Sequence, residues 1–522
     1  MSVPRETELK LDLPPDGMAM LTRSAVFKDA PRTAPRPKKI VSVYFDTGNF
    51  KLRNSGLTLR VRREGRRRVQ TVKQEGERAP LLARNEWERP IRGRRPDFAA
   101  ARDTALEPLL SKKLERQLKP VFETSVRRTV YPLRNGDTEI ELTVDEGTVE
   151  AGGKSSPLYE VELELKRGAP ADLFRLAQAL AEDVPVQISV RTKAERGYAL
   201  VGREKPAPVK ALLVALKPDF TAQAAFQTVA RACLHQLIAN RPFVRIGQPE
   251  GLHQMRVGLR RLRAAISLFS GMLSDTQTQE MKAQLRWLNG ELRAARELDV
   301  FMSRVVKPPV DAKRDKPGLA ALIKDLRKRR AEAYARVRSA IDSYRFRRLV
   351  LDAAAWIEVG DWTRNSDDLA CALRERPISS VAADELQRRR KKILKRGAHL
   401  KTLEPHRRHT LRIQAKKVRY ASEFFANVFP GKKSARRREA FIAALEKLQD
   451  ALGELNDIAV HEELSAVLAQ EQNGDGTPRK VHAKEAFAAG RLSGYEEARM
   501  ASALQDAERA YRLASRAKPF WR

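Results

Sequence analysis

Up to about residue 205 the chain alternates apolar and charged positions in short bursts. In Glu6-Thr-Glu8-Leu-Lys10-Leu the period is two, which in a strand puts both carboxylates and the lysine on one face. The same alternation recurs at Leu59-Arg60-Val-Arg62, Thr71-Val-Lys73, Glu86-Trp-Glu88, Glu141-Leu-Thr143-Val-Asp145 and Glu160-Val-Glu162-Leu-Glu164-Leu-Lys166. It appears once more at Arg191-Thr-Lys193, also read as a strand. One charged face per strand predicts an antiparallel sheet. Acidic and basic pairs fall on different strands, as expected of a barrel closed around a charged lumen. Carboxylates at i and i+2 suit a hard divalent cation, and facing Arg and Lys suit phosphate oxygens.

After residue 206 the texture changes to long runs rich in Ala, Leu, Arg and Glu with helical spacing. The expected fold class is α+β: a β domain over 1–203, a linker over 204–219 and a helical-bundle domain over 220–522. Gln470 to Lys480 reads as a loop between late helices.

The helical half contains an internal copy. His253-Gln-Met-Arg256-Val-Gly-Leu-Arg260-Arg261-Leu-Arg263 recurs as His409-Thr-Leu-Arg412-Ile-Gln-Ala-Lys416-Lys417-Val-Arg419. Leu292-Arg-Ala-Ala-Arg296-Glu297-Leu-Asp299 likewise pairs with Leu452-Gly-Glu-Leu-Asn456-Asp457-Ile-Ala459, so two repeats are expected, about 220–365 and 375–520. On a helix, the motif's His and most of its cations form one basic stripe. Leu259, Leu262, Ile266 and Phe269 form an apolar stripe offset from it, which lets the helix pack inward while presenting its cations to a groove. His253, Arg256, Arg260, Arg263, His409, Arg412, Lys416 and Arg419 are the candidate polyanion contacts. Neither His has a metal-ligand partner at i+4.

Charge narrows the partner. The chain of 522 residues carries a net charge of +35, with 101 Lys and Arg against 66 Asp and Glu. Residues 1–205 hold 40 basic and 30 acidic groups, which leaves 61 against 36 for the rest. An acidic partner follows: polyphosphate, nucleic acid or an anionic surface. Aromatics at 6% are thin for stacking single-stranded bases, so specific nucleic-acid recognition is not expected. Two distant cysteines, no long apolar run and no signal-peptide core point to a cytoplasmic protein without a membrane span.

The strands resemble a known family in their order. Glu6-x-Glu8-x-Lys10, Tyr44-Phe-Asp46-Thr, Arg60-x-Arg62, Glu86-x-Glu88, Glu160-x-Glu162-x-Glu164 and Lys193-Ala-Glu-Arg196-Gly-Tyr198 look like a CYTH domain. That family belongs to the triphosphate tunnel metalloenzymes, which share an eight-stranded antiparallel tunnel. The last of these segments is expected to form the closing tunnel strand. The paired His motifs resemble a CHAD domain, a helical fold associated with inorganic polyphosphate.

The combined resemblance implies hydrolysis of inorganic triphosphate to pyrophosphate and phosphate with Mg2+ or Mn2+. It assigns metal ligation to Glu6, Glu8, Glu162 and Glu164, with Glu160 a further candidate. Phosphate binding falls to Lys10, Arg60, Arg62, Lys73, Arg128, Arg191 and Lys193, and orientation of water to Glu86 or Glu88. Whether Arg127 or Arg128 faces the tunnel is open at this point, and Asp145 and Glu141 are expected to orient ligands from behind. Polyphosphate-granule association and a homodimer are further implications. The alternatives are a cyclase or a nucleoside or thiamine triphosphatase on the same tunnel, which would need a base pocket, and a non-catalytic polyphosphate binder. Non-specific nucleic-acid binding explains the charge alone.

Overall fold

The computed structural model describes residues 5–27, 36–74, 83–202, 206–305, 316–470 and 483–522. The Gln470–Lys480 loop, Gln470 apart, and residues 203–205, where the β domain meets the linker, lie outside them. Among the described residues nine strands form one sheet: β1 (Arg5–Asp12), β2 (Lys38–Asp46), β3 (Leu57–Glu64), β4 (Arg67–Gln74), β5 (Ala83–Pro90), β6 (Lys119–Asn135), β7 (Thr138–Ala151), β8 (Lys154–Arg167) and β9 (Gln187–Ile188). Their order is β5-β4-β3-β2-β6-β7-β8-β1-β9, and β1 also pairs with β5. Eight strands therefore close into an antiparallel tunnel. The ninth has two residues and extends β1 beyond the point where β5 leaves it, at Leu11↔Ile188.

The register keeps the charged positions of neighbouring strands level. Lys10 faces Glu162, Glu162 faces Thr143, and Asp145 faces both Glu160 and Arg128 across their ladders. On the other side Arg60 faces Thr71, which faces Glu88, while Lys73 faces Glu86. Since side chains alternate, one inward charged set forces the intervening residues outward. Leu9 and Leu11 are accordingly buried on the outside of the barrel, where the helix Pro170–Asp183 brings Leu173, Phe174, Ala177 and Leu180 to the interior. A second external cluster joins Phe45, Leu52, Leu59, Val61 and Val72 to Leu106 and Leu114. The apolar core thus lies around the tunnel.

Arg191 to Lys193 is not a strand, and the segment expected to close the tunnel is the helix Lys193–Val201. The reason is a reciprocal cap: Thr192 Oγ1 accepts from the Glu195 amide (3.0 Å), and the Glu195 carboxylate accepts from the Thr192 amide (2.7 Å). That local signal prevails over a three-residue alternation. The helix packs on a cluster of Ile40, Tyr44, Phe122, Val126 and Tyr198. Asp46 holds the neighbouring turn, accepting hydrogen bonds from the Leu52 and Arg53 amides and from Tyr198 Oη (2.9, 3.0 and 2.8 Å).

The chain forms two compact units. The first comprises 1–209, 234–240 and 341–364; the second comprises 210–233, 241–340 and 365–522. In the second, the helices Pro249–Leu268 and Pro405–Phe424 have equal length, each with proline in its first turn. Leu259, Leu262, Ile266 and Phe269 are buried, as the apolar stripe predicts.

A Cβ at Gly197 would lie 2.1 Å from the Phe122 ring, so the helix sits on the sheet only with glycine there. Gly197→Ala should cost about 1–3 kcal/mol through overpacking. Urea denaturation checks this, and an unchanged midpoint would mean the helix can shift freely.

Candidate active site and basic groove

The tunnel encloses a cavity of about 350 Å³ lined by Glu8, Lys10, Arg60, Arg62, Lys73, Glu86, Glu88, Arg128, Glu162, Glu164 and Lys193, among others. Of the residues expected to bind phosphate, Lys10, Arg60, Arg62, Lys73, Arg128 and Lys193 all reach it. Arg191 does not; it lies in the turn after β9, where its carbonyl accepts from Ser189 Oγ (3.1 Å). Glu6 pairs with Arg84 through its backbone, and its side chain lies outside the described set. Arg128, not Arg127, faces inward. It donates two 2.7 Å bonds to Asp145 and one of 3.1 Å to Glu162, while exposed Arg127 pairs with Glu146.

The charges form two connected groups. In one, Lys193 Nζ lies 2.8 Å from Asp145, 2.6 Å from Glu160 and 2.8 Å from Glu162, and Lys10 reaches Glu162 at 2.5 Å. Burial opposes every one of these charges, and pairing decides the balance. Glu162 is held well below the usual carboxylate range because Lys10, Lys193 and Arg128 outweigh its burial. Lys193 is held well above its usual range, its burial offset by Asp145, Glu160 and Glu162. For Glu160 burial prevails over Lys193 and Lys10, and its carboxyl rises to about 7. In the other group Lys73 pairs with Glu86, and Arg60 lies 3.3 Å from Glu86. Those two cations overcome burial and lower the Glu86 carboxyl to about 2. Glu88, nearer solvent, accepts from Arg62 (2.9 Å) and Thr71 (3.1 Å).

Among the described residues, the carboxylates whose oxygens approach one another within 4.8 Å are Asp145, Glu160 and Glu162. The all-oxygen donor set fits a hard divalent cation, and the second Glu160 oxygen is buried with no hydrogen-bond partner. Two of these residues belong to the expected ligand set. Asp145, expected behind the ligands, stands among them, and the Arg128-Asp145 register is the signal that places it there. Glu8 and Glu164 line the cavity outside this trio. Lys193 occupies the trio's centre of charge.

In the second unit the two motif helices pack together. Arg260 acts electrostatically on His253, on Arg256 and on Lys416, so cations of both repeats share one field. Burial and the neighbouring Arg412 and Arg260 lower Lys416 to about 7, with Asp457 only partly compensating. Burial and repulsion from Arg260 and Arg296 bring Arg256 to about 10, and burial with Arg296 and Arg260 takes His253 to about 4. His253 is therefore neutral at neutral pH. Arg412 lies against Gly453, and His409 hydrogen-bonds Asn456. Arg263 is exposed, and Arg419 is bound to Glu423 (2.8 Å). Arg261, part of the same motif, is buried against Glu423, Tyr420 and Phe424 and serves packing.

Residues 4–198 match the CYTH domain family and residues 228–466 the CHAD domain family. The chain thus belongs to the proteins that join a CYTH domain to a CHAD domain. It is 31% identical over 166 residues to the inorganic triphosphatase of Haemophilus influenzae, a match covering 31% of this chain and 46% of that protein. The chain thus matches under half the length of this curated relative. The crystal structure of the CHAD domain from the plant Ricinus communis is 30% identical, with 60% of this chain and 98% of that chain covered and a TM-score of 0.49. PptA from Streptomyces chartreusis is 17% identical, covering 56% and 99%, with a TM-score of 0.39. No helix among the described residues is long and apolar enough to cross a membrane.

Lys193→Met would take from Glu160 its ion-pair partner and from Asp145 and Glu162 one of theirs, Arg128 and Lys10 remaining, at a cost of about 3–5 kcal/mol. In EDTA its melting temperature should fall, and millimolar Mg2+ or Mn2+ should recover most of the loss. A loss that neither ion recovers would exclude the trio as a cation site.

Proposed function

We propose that the tunnel hydrolyses inorganic triphosphate to pyrophosphate and phosphate with Mg2+ or Mn2+, and that the basic groove of the helical domain binds polyphosphate. The observation that carries the first part is the lumen itself: eight cationic side chains line one small cavity, each paired with a carboxylate. The resemblance to an inorganic triphosphatase supports it. Arg60, Arg62, Lys73 and Arg128 would hold the phosphate oxygens, while Lys10 and Lys193 offset charge that develops at the leaving group. Asp145, Glu160 and Glu162, with Glu8 and Glu164 beside the cavity, are the groups available to hold the cation. When bound it would polarise the phosphoryl group. Glu86, pinned by Lys73 and Arg60, is a poor base, which leaves Glu88 to orient water.

Tyr44 is the one aromatic side chain among the described residues lining the cavity, so no pair of rings clamps a base. That favours an inorganic chain over a nucleotide. For the helical domain, burial first and then repulsion from Arg260 and Arg412 depress the basicity of Arg256 and Lys416, and a polyanion would relieve the repulsion among these cations. A cytoplasmic enzyme, paired with itself or attached to polyphosphate granules, is compatible with this reading.

Phosphate release from tripolyphosphate should be abolished by EDTA. Glu8→Gln should lower it by roughly 10²–10³, with long-chain polyphosphate binding intact, and equal loss of both would contradict a two-site protein. Arg256→Glu with Arg412→Glu should do the reverse.

Polyphosphate binding should also weaken as pH rises above about 7, where free Lys416 loses its proton and binding must restore it. Below that pH Lys416 is already charged and this dependence vanishes. Lys416→Arg should flatten the profile measured by titration from pH 6 to 9; an unchanged slope would clear Lys416 of the effect.

A further inference from the structure

The β3–β4 hairpin and the loop after β5 bring together arginines that neither the tunnel chemistry nor the helical groove uses. Arg63 lies directly opposite Arg68, and Arg67 opposite Glu64, while Arg66 sits at the turn. Like charges facing each other across a ladder are destabilising, so they need another reason to persist. The loop that follows β5 is pinned beside them. Ile91 N donates to the Arg68 carbonyl (3.1 Å). The Gln70 amide group bonds both the carbonyl (2.9 Å) and the N–H (2.7 Å) of Asp97. Between these anchors stand Arg92, Arg94 and Arg95, all exposed.

The acidic residues on these described segments are already engaged. Glu64 pairs with Lys38, Glu86 with Lys73 and Glu88 with Arg62, while Asp97 accepts from the Ala99 amide. By the alternation Arg67, opposite Glu64, shares the face whose Glu64, Lys38, Arg62 and Glu88 line the cavity, whereas Arg63 and Arg68 stand on the outer face beside the pinned loop, so the arginines run as a collar from the lumen rim over the hairpin. The path inward stays cationic: burial, then repulsion from Arg60, lowers the basicity of Arg62, and Arg128 adds to it.

We propose that this arginine collar is a docking surface for linear inorganic polyphosphate, with one chain end in the lumen and the following phosphates lying across the β3–β4 hairpin and the 91–97 loop. The inference rests on the reading that the lumen accepts inorganic phosphate chains, and it extends the substrate class from triphosphate to longer polymers. Arginines spaced along a hairpin and a pinned loop suit a repeating phosphate backbone. The described collar segments offer no paired aromatic platform for bases, which favours polyphosphate over single-stranded nucleic acid.

The test uses the full chain carrying Arg256→Glu and Arg412→Glu, which silence the helical groove. Fluorescent long-chain polyphosphate is titrated against this parent and against a version with Arg66, Arg67, Arg94 and Arg95 changed to Gln. The collar substitutions should weaken long-chain binding about tenfold or more and reduce the salt slope by about 0.7 for each arginine–phosphate pair removed. Tripolyphosphate affinity, measured by calorimetry, should stay within about twofold, because a three-phosphate chain ends inside the lumen. Unchanged long-chain affinity overturns the proposal. So does equal weakening of both probes, which would mean general attraction, or equal binding and loss with single-stranded DNA of matched charge. Should the fourfold variant melt early, Arg94→Gln with Arg95→Gln on the pinned loop gives the same comparison. Tripolyphosphate turnover in the parent tests the function reading separately, and the binding data judge the collar even without turnover.

Discussion

Everything in the N-terminal domain depends on placing charge inside a closed sheet. Ionised groups in a lumen persist only when each finds a counter-charge, and here the strands are registered so that it does. Lys10 meets Glu162, Arg128 meets Asp145, and Arg60 and Lys73 meet Glu86. The apolar half of each strand is thereby turned outward and has to be covered. The helices and turns outside the barrel, with Leu173, Phe174, Leu106 and Leu114, meet that requirement. A tunnel of this kind is a sheet whose hydrophobic core has been moved to its exterior.

That inversion explains why the tunnel is legible in the sequence. Period-two alternation of Glu or Arg with Leu, Val or Ile marks a strand buried on one face, and seven of the eight tunnel strands follow from motifs such as Glu6-x-Glu8 and Glu160-x-Glu162 with the family resemblance. The closing segment is a helix rather than the expected strand, because alternation over three residues carries little information. Thr192-x-x-Glu195, the capping box, is the stronger signal there. Strand phase is also out of reach around Arg127-Arg128, since adjacent like residues look the same until a register with Asp145 separates them. Nor does spacing within single strands report which carboxylates converge; Asp145 joins Glu160 and Glu162 from another strand.

The helical half is legible for a different reason. Duplication turns one weak basic stripe into two aligned ones, and the buried positions Leu259, Leu262 and Ile266 confirm which side packs. The copies have nonetheless divided their labour. In the first, Asp299 holds Arg330 and Tyr334 (2.7 Å each), whereas Ala459 stands at the matching place in the second. The second instead binds His409 to Asn456, where the first has His253 beside Arg296. Arg261 shows the limit of motif reading: as cationic as Arg260, it is buried against Tyr420 and Phe424.

Gly197 gives the lumen an unexpected dependence. Lys193 reaches Asp145, Glu160 and Glu162 from the first turn of a helix whose seat is fixed by the absence of a methyl group against Phe122. The share of the trio's counter-charge that Lys193 supplies, beside Lys10 and Arg128, therefore rests on a steric fit one turn away, between two uncharged residues. A displaced ring at Phe122 would be felt in the lumen as a misplaced ammonium, although neither Phe122 nor Gly197 carries a charge.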